Sequence, residues 1–299
     1  MKRILTILAV LWAAAASAEN VSWLRYPSIS PDGKSIAFSY KGDLYVVDSQ
    51  GGEAKQLTMN PSYDYSPVWS PDGKWIAFAS DRYGNFDIFR ISVKGGECKR
   101  ITTHSVKETP WSFTPDGKNI VFSSYREKSK DIYIVPAEGG VPKRLTTHTG
   151  NETPKAVLAD GRILFTADIQ QDVKYGDFPG NAQLYIVNQE GGKPELVTSL
   201  PLSEISVNKD GKVLYEDYKG YEDPFRKHHT SSVTRDIWLY QPAASGGFGI
   251  DADGRLTKLS SFNGEDRDPI FAADGDTFYY LSEKDGTINI YRSSISNPD

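Results

Sequence analysis

Asp-Gly recurs in one fixed frame at six places along this chain, at 32–33, 72–73, 116–117, 160–161, 210–211 and 274–275. The steps between copies are 40, 44, 44, 50 and 64 residues. An apolar triplet leads in, as in Val68-Trp69-Ser70, and an apolar run leads out, as in Trp75-Ile76-Ala77-Phe78. A second short strand follows, such as Leu44-Tyr45-Val46-Val47, Ile88-Phe89-Arg90-Ile91 or Ile132-Tyr133-Ile134-Val135. Gly-Gly comes next, at 51–52, 95–96, 139–140 and 191–192, and the unit closes on an apolar-Thr pair: Leu57-Thr58, Ile101-Thr102, Leu145-Thr146, Val197-Thr198. Self-similarity at such a period decides architecture before any local motif does.

Each unit reads as four strands joined by three reversals. Ser-Pro-Asp-Gly at 30–33 and 70–73, and Thr-Pro-Asp-Gly at 114–117, suit a type I turn with proline presetting φ and glycine taking the left-handed region. Tyr, Phe, Trp, Ile and Val fill the strand positions, and no useful helical period is present. A lone four-stranded sheet cannot bury both faces, whereas sheets stacked about an axis bury each face on a neighbour. The expected fold is all-β, a six-bladed β-propeller of four-stranded blades. A solenoid or two sandwiches are the competing architectures for such a repeat.

The six signatures place the blades at about 26–65, 66–108, 109–152, 153–203, 204–267 and 268–299. Blade five closes on Lys258-Leu259-Ser260, a serine variant of the closing pair. Blade six reaches a third strand at Ile288-Asn289-Ile290-Tyr291 and shows no closing pair, so the last blade is expected to be incomplete. Two explanations fit. Val21-Ser22-Trp23-Leu24 could add the outer strand, or the chain could be the front piece of a longer protein. The short joint between Leu24 and blade one favours the second.

Residues 1–18 stand apart from the repeats. Lys2 and Arg3 precede an apolar run from Ile4 to Ala16, and Ala16-Ser17-Ala18 is a small-x-small site, the layout of a secretory signal peptide cleaved after Ala18. The mature chain, 19–299, is expected to be periplasmic or secreted, with no membrane span after cleavage. Its formal charge falls from −5 to −7 once Lys2 and Arg3 are removed. With no basic run, nucleic acid and anionic membrane are not expected partners. Cys98 is the only cysteine, so no intrachain disulfide can form.

Alternate turns of a blade emerge on opposite faces. The Asp-Gly and Gly-Gly turns share one face and are tight. The two large insertions, Ile169 to Asn181 in blade four and Tyr218 to Arg235 in blade five, both fall on the other. Long loops on a rigid scaffold are where binding residues gather. Candidate rim residues for a peptide or protein substrate are therefore Tyr175 and Asp177 in the first loop, and Arg226, Lys227, His228, His229 and Arg235 in the second. His104 and His148 follow closing Thr-Thr pairs and read as ordinary link residues. His228-His229, adjacent on an extended chain, makes a poor chelate. Asp251-Ala252-Asp253-Gly254 lacks the further ligands of a calcium loop. No Gly-x-Ser-x-Gly elbow occurs. No catalytic residue, metal or cofactor is assigned.

The repeats, for example Ser30-Pro31-Asp32-Gly33-Lys34-Ser35-Ile36-Ala37-Phe38, resemble the WD-like repeats of TolB and of the tricorn protease N-terminal propeller. The segment Gly220 to Trp238, and Ser261-Phe262-Asn263-Gly264-Glu265-Asp266-Arg267-Asp268-Pro269, are similar to bacterial tricorn-like proteases. That resemblance implies a long serine peptidase whose first propeller filters or channels peptides, with the remaining domains, catalytic serine and histidine included, beyond Asp299. The alternative is a periplasmic protein-binding scaffold like TolB, although TolB carries an α/β domain that is missing here. A propeller enzyme such as a polysaccharide lyase would need histidines and acids converging on the axis, and four scattered histidines do not supply them.

Overall fold

The structure is a computed structural model, and it describes residues 23–169, 182–198, 202–220, 230–242 and 254–298. Blade one holds β1 (Arg25–Ile29), β2 (Ser35–Tyr40), β3 (Asp43–Asp48) and β4 (Lys55–Gln56). Blade two holds β5 (Asp64–Trp69), β6 (Trp75–Ser80), β7 (Asp87–Ser92) and β8 (Lys99–Arg100). Blade three holds β9 (Glu108–Phe113), β10 (Asn119–Ser124), β11 (Asp131–Pro136) and β12 (Lys143–Arg144). Blade four holds β13 (Glu152–Val157), β14 (Ile163–Ala167), β15 (Gln183–Val187) and β16 (Glu195–Thr198). Blade five holds β17 (Leu202–Val207), β18 (Val213–Asp217), β19 (Ile237–Gln241) and β20 (Arg255–Lys258). Blade six has three strands, β21 (Asp266–Phe271), β22 (Thr277–Ser282) and β23 (Asn289–Ser294). All pairings are antiparallel between consecutive strands, so the six-bladed all-β propeller and its incomplete last blade are as the repeat predicts.

The turn chemistry explains the signature residues. Ser70 Oγ donates to Asp72 Oδ1 at 2.6 Å, and the same carboxylate accepts the Lys74 N–H at 3.1 Å. The Gly73 N–H closes onto Ser70 O at 2.9 Å with φ at +66°, where a side chain would be strained. The closing pair has an equally local purpose. The N–H of Leu44, Ile88, Ile132 and Ile237 is donated to the hydroxyl of Thr58, Thr102, Thr146 and Ser260, at 2.9 to 3.0 Å. The carbonyl of the same four residues accepts the N–H of Leu57, Ile101, Leu145 and Leu259, at 2.7 to 2.8 Å. The fourth strand is thus a clamp on the third.

Strand alternation sends one set of side chains to each neighbouring blade. Ala37, Leu44 and Leu57 meet Ile76, Phe78, Phe89 and Ile91 between blades one and two. Matching clusters join two to three, three to four, four to five and five to six. Each contains the apolar residue of the leading blade's closing pair: Ile101, Leu145, Val197 and Leu259 in turn. Full burial of one such side chain is worth about 1.5–3 kcal/mol. Among the described residues, no sixth cluster joins blade six to blade one. The position held by Ala37, Ala77, Val121, Leu164 and Leu214 is Tyr279 in blade six, 44% exposed.

Two features depart from the sequence reading. Inner strands begin one or two residues before their apolar triplets suggest, because Asp64, Glu108, Glu152 and Asp266 head them while fully or almost fully buried. The Asp-Gly and Gly-Gly face also carries an insertion of its own, since residues 242–254 connect β19 to β20 where blades one to three use six.

Candidate functional site

All six inner strands are bulged at the same place. The ladder with the second strand slips between Arg25 and Ser28, Tyr65 and Val68, Pro110 and Ser112, Pro154 and Ala156, Leu202 and Ile205, and Arg267 and Ile270. Proline lies within the bulge in blades one, two and six (Pro27, Pro67 and Pro269) and borders it in blades three and four (Pro110 and Pro154). In blades one, two and six the residue before it, Tyr26, Ser66 or Asp268, has φ near +53°. A bulge bends the strand and re-aims the next side chains.

Beyond the bulges, the ends of five inner strands converge on one cavity of about 770 Å³ at the Asp-Gly face. Ile29 of β1, Trp69 of β5, Trp111 of β9, Val207 of β17 and Ile270 of β21 each contribute, so the cavity is the axial mouth of the propeller. Tyr279 lines it from β22. Polar groups are few: Ser28, Ser30, Ser112 and Ser206, with Asn208 and Lys209 at the blade-five turn. Trp69 is fixed in place by donating Nε1–H to Ser28 O at 2.9 Å across the blade one–two junction. Asn208 donates to Gly275 O at 2.8 Å across the five–six junction. A concave, aromatic site with a few polar groups suits an apolar segment of an extended ligand.

The opposite ends of the inner strands carry buried acids. Arg82 Nη2 donates to both oxygens of Asp64, at 3.1 and 2.9 Å, and Arg126 Nε donates to Glu108 Oε1 at 2.7 Å. The third strands start with a second acid, and Arg100 and Arg144 reach back to Asp87 and Asp131 from the fourth strands. In blade four, Ile169 occupies the place of Arg82 and Arg126, so among the described residues no guanidinium covers Glu152. Burial, with a further push from the charge of Asp131, raises Glu152 to about 7. Burial likewise raises Asp266 to about 6. At the bulge of blade four, Lys155 Nζ lies 2.8 Å from Glu204 Oε1 at the bulge of blade five, an ion pair between inner strands.

Of the rim residues expected from sequence, Arg235 is described. Its Nη1 donates to Glu265 Oε1 at 3.2 Å, its backbone N–H donates to Glu265 Oε2 at 3.1 Å, and its Nε lies 3.7 Å from Glu216 Oε1. It ties the blade-five loop to blade six. Tyr175, Asp177, Arg226, Lys227, His228 and His229 lie outside the described residues. Nδ1 of His104 and of His148 each accepts a local backbone N–H, from Val106 and Gly150. Burial pushes the Cys98 thiol up, away from the reactive thiolate. Among the described residues, no three His, Cys, Asp or Glu side chains group as metal ligands, and no helix is long and apolar enough to cross a membrane. The family resemblance implied a channel for peptides, but sequence reasoning named none of the residues lining the axial cavity, whose walls come from strands far apart in the chain. Trp69 and Trp111, two and four residues ahead of the prolines of two Pro-Asp-Gly turns, were the available signal.

Comparison with known proteins bears on this arrangement. The family described as the tricorn protease N-terminal beta propeller domain matches residues 21–128 and 99–299. An uncharacterised protein of Agrobacterium fabrum is 42% identical over 67 residues, 20% of this chain and 22% of that protein. The Tol-Pal system protein TolB of Desulfosudis oleivorans is 38% identical over 58 residues, 18% of this chain and 13% of that one. The matched segments thus span less than a quarter of these relatives. Among solved structures, one described as TolB from Agrobacterium tumefaciens aligns over 90% of both chains with a TM-score of 0.63 at 20% identity. The propeller domain of the trilobed protease from Pyrococcus furiosus, described as having an open velcro topology, aligns over 91% of this chain and 81% of its own, with a TM-score of 0.62 at 13% identity. The tricorn protease aligns over 92% of this chain and 22% of its own, with a TM-score of 0.51 at 18% identity.

Proposed function

Because the chain belongs to the family of tricorn protease N-terminal β-propeller domains, we propose that it is a peptide-handling module, exported and serving a serine peptidase. It admits or orients extended peptides for a catalytic domain beyond its own residues. The single observation that supports this reading is the axial cavity, apolar and aromatic, with Trp69 and Trp111 at its wall. Aromatic walls grip successive apolar side chains with little demand on sequence, which suits a filter for unfolded peptide. The blade-four and blade-five loops, with Tyr175, Asp177, Arg226, Lys227, His228 and His229, are proposed as the rim on the opposite face. Cleavage after Ala18 is proposed to release the exported chain, which N-terminal sequencing of a periplasmic fraction checks.

Calorimetry with extended peptides bearing Phe or Leu tests the assignment. Saturable binding is expected, weakened about tenfold by Trp111→Ala. No saturation by any such peptide would defeat it. A second reading, a protein-binding scaffold without enzymatic activity, is supported by the alignment over 90% of both chains with the TolB structure. It differs in predicting a folded-protein partner whose binding is indifferent to Trp111→Ala.

A further inference from the structure

Two fully buried carboxyl groups meet where blade four docks on blade three. Asp131 heads β11, the third strand of blade three, and Glu152 heads β13, the inner strand of blade four. Neither has any solvent exposure, and the two carboxyl groups lie within hydrogen-bonding reach of each other. Asp131 Oδ1 accepts from Arg144 Nη2 at 2.9 Å, and Glu152 Oε1 accepts the His148 N–H at 3.3 Å. The other two oxygens, Asp131 Oδ2 and Glu152 Oε2, are buried and have no partner among the described residues. Two such acceptors satisfy each other only through a proton.

The charge balance gives the same answer. At the preceding junction Asp87 and Glu108 are the equivalent acids, and Arg100 and Arg126 supply one guanidinium to each. Between blades three and four, Arg144 repeats Arg100, but Ile169 stands where Arg126 would. Two buried anions against one cation leave a charge that an interior holds only at high cost. Carboxyl groups sharing one site resolve this by keeping a proton. Burial, with Asp131 beside it, accordingly raises Glu152 to about 7. Among the described residues no third His, Cys, Asp or Glu side chain completes a metal site there.

The surrounding groups do not supply the missing cation. Lys155 of β13 is spent on Glu204. Burial and then the charge of Lys155 hold the Lys130 ammonium below its ordinary value, and no carboxylate draws it the other way. Tyr133 of β11 stays neutral, raised by burial and by the Asp131 charge, and Glu127 acts on Arg144. The His148 imidazole accepts the Gly150 N–H at Nδ1, while Ser129 and Thr146 offer neutral hydroxyls.

We propose that Asp131 and Glu152 hold one proton in common, Glu152 Oε2–H donating to Asp131 Oδ2, and that this proton is a pH-sensitive clasp between blades three and four. The clasp is closed below the titration of the pair. As pH rises the proton passes to solvent, and two carboxylates are left facing each other with Arg144 as the one guanidinium among the described residues. A second arginine fastens the neighbouring junction at every ordinary pH, whereas a proton fastens this one.

Carboxyl carbon NMR of the whole chain, titrated from about pH 4 to about pH 9, tests the shared proton directly. The Asp131 and Glu152 signals should move together in one step near neutrality. Ile169→Arg, which restores the second guanidinium, should shift that step below about pH 5. Hydrogen exchange reads the clasp itself. The Glu152 N–H is donated to Lys130 O and the Glu108 N–H to Phe86 O, both at 2.8 Å, so Glu108 is the internal control. Protection of the Glu152 amide relative to Glu108 should fall about tenfold between about pH 5 and about pH 8. Glu152→Gln should abolish that fall, although His148 and Asp266 still titrate in that variant. Glu152 titrating in the ordinary carboxyl range, or independently of Asp131, overturns the proposal. So does a step that Ile169→Arg leaves in place, or protection restored at high pH by sodium or calcium, which would make the occupant a metal ion.

Discussion

Arg82 places Nη2 within 3.1 Å of both carboxylate oxygens of Asp64, an acid with no solvent exposure at the head of the second inner strand. The guanidinium also lies over the rings of Phe89 and Phe78, at 4.6 and 5.6 Å from their centroids. It is thus a lid that neutralises a buried charge and packs on the core. Arg126 repeats the arrangement over Glu108 and over Phe122 and Tyr133.

Removing that lid alone leaves a buried carboxylate uncompensated. Arg82→Met should cost about 3–5 kcal/mol, the range for breaking a buried pair from one side. Adding Asp64→Leu should return most of the loss. Urea unfolding of the two variants measures both, and equal stability of the single and double variants would contradict the account.

Among the described residues blade four has no such lid, and pH should reveal it. Burial raises Glu152 to about 7, so the folded state favours the neutral acid. A raised folded value means the contribution is fully present below the ordinary carboxyl range and lost as pH climbs through the folded value. Stability should therefore decline between about pH 5 and pH 8, and Glu152→Gln should flatten that decline. Urea midpoints across the range, variant against parent, provide the check; parallel curves would refute it.

Thr102 offers a cleaner test of the closing pair. Its hydroxyl accepts the Ile88 N–H at 2.9 Å, and both residues are buried. Thr102→Val keeps the shape and strands a backbone donor, at about 1–3 kcal/mol. Thr102→Ser, which keeps the acceptor as Ser260 does in blade five, should lose less. Thermal melts of the pair distinguish hydrogen bonding from packing.

Gly117 tests the turn reading. Its φ is +71°, and its N–H closes onto Thr114 O at 2.8 Å. Gly117→Ala should cost about 1–2 kcal/mol, the penalty of a side chain in the left-handed region. An unchanged melting temperature would show that the turn relaxes.

The sequence carries the propeller because its signals are local. Pro-Asp-Gly turns, Gly-Gly turns and the closing Thr each act within a few residues of themselves, so they are legible one repeat at a time. Asp64, Glu108 and Glu152 were not legible, since an isolated acid ahead of a strand looks like surface until Arg82 or Arg126 folds over it. The lining of the axial cavity was not legible either. Ile29 and Ile270 are 241 positions apart in the chain and meet only through the ring. The 242–254 connection escaped notice because the repeat template expects a short Gly-Gly turn at that point.

The missing sixth cluster also sets how the molecule comes apart. Among the described residues, blades two to five each share apolar clusters with two neighbours, while blades one and six each share one. Where stability is a sum over nearest-neighbour interfaces, terminal units fray first and the interior melts last. Over the described residues the propeller is circular in outline but has the energetics of a row, so this 299-residue chain should unfold like a linear array of six units, with Phe122 and Phe165 at the last region to loosen.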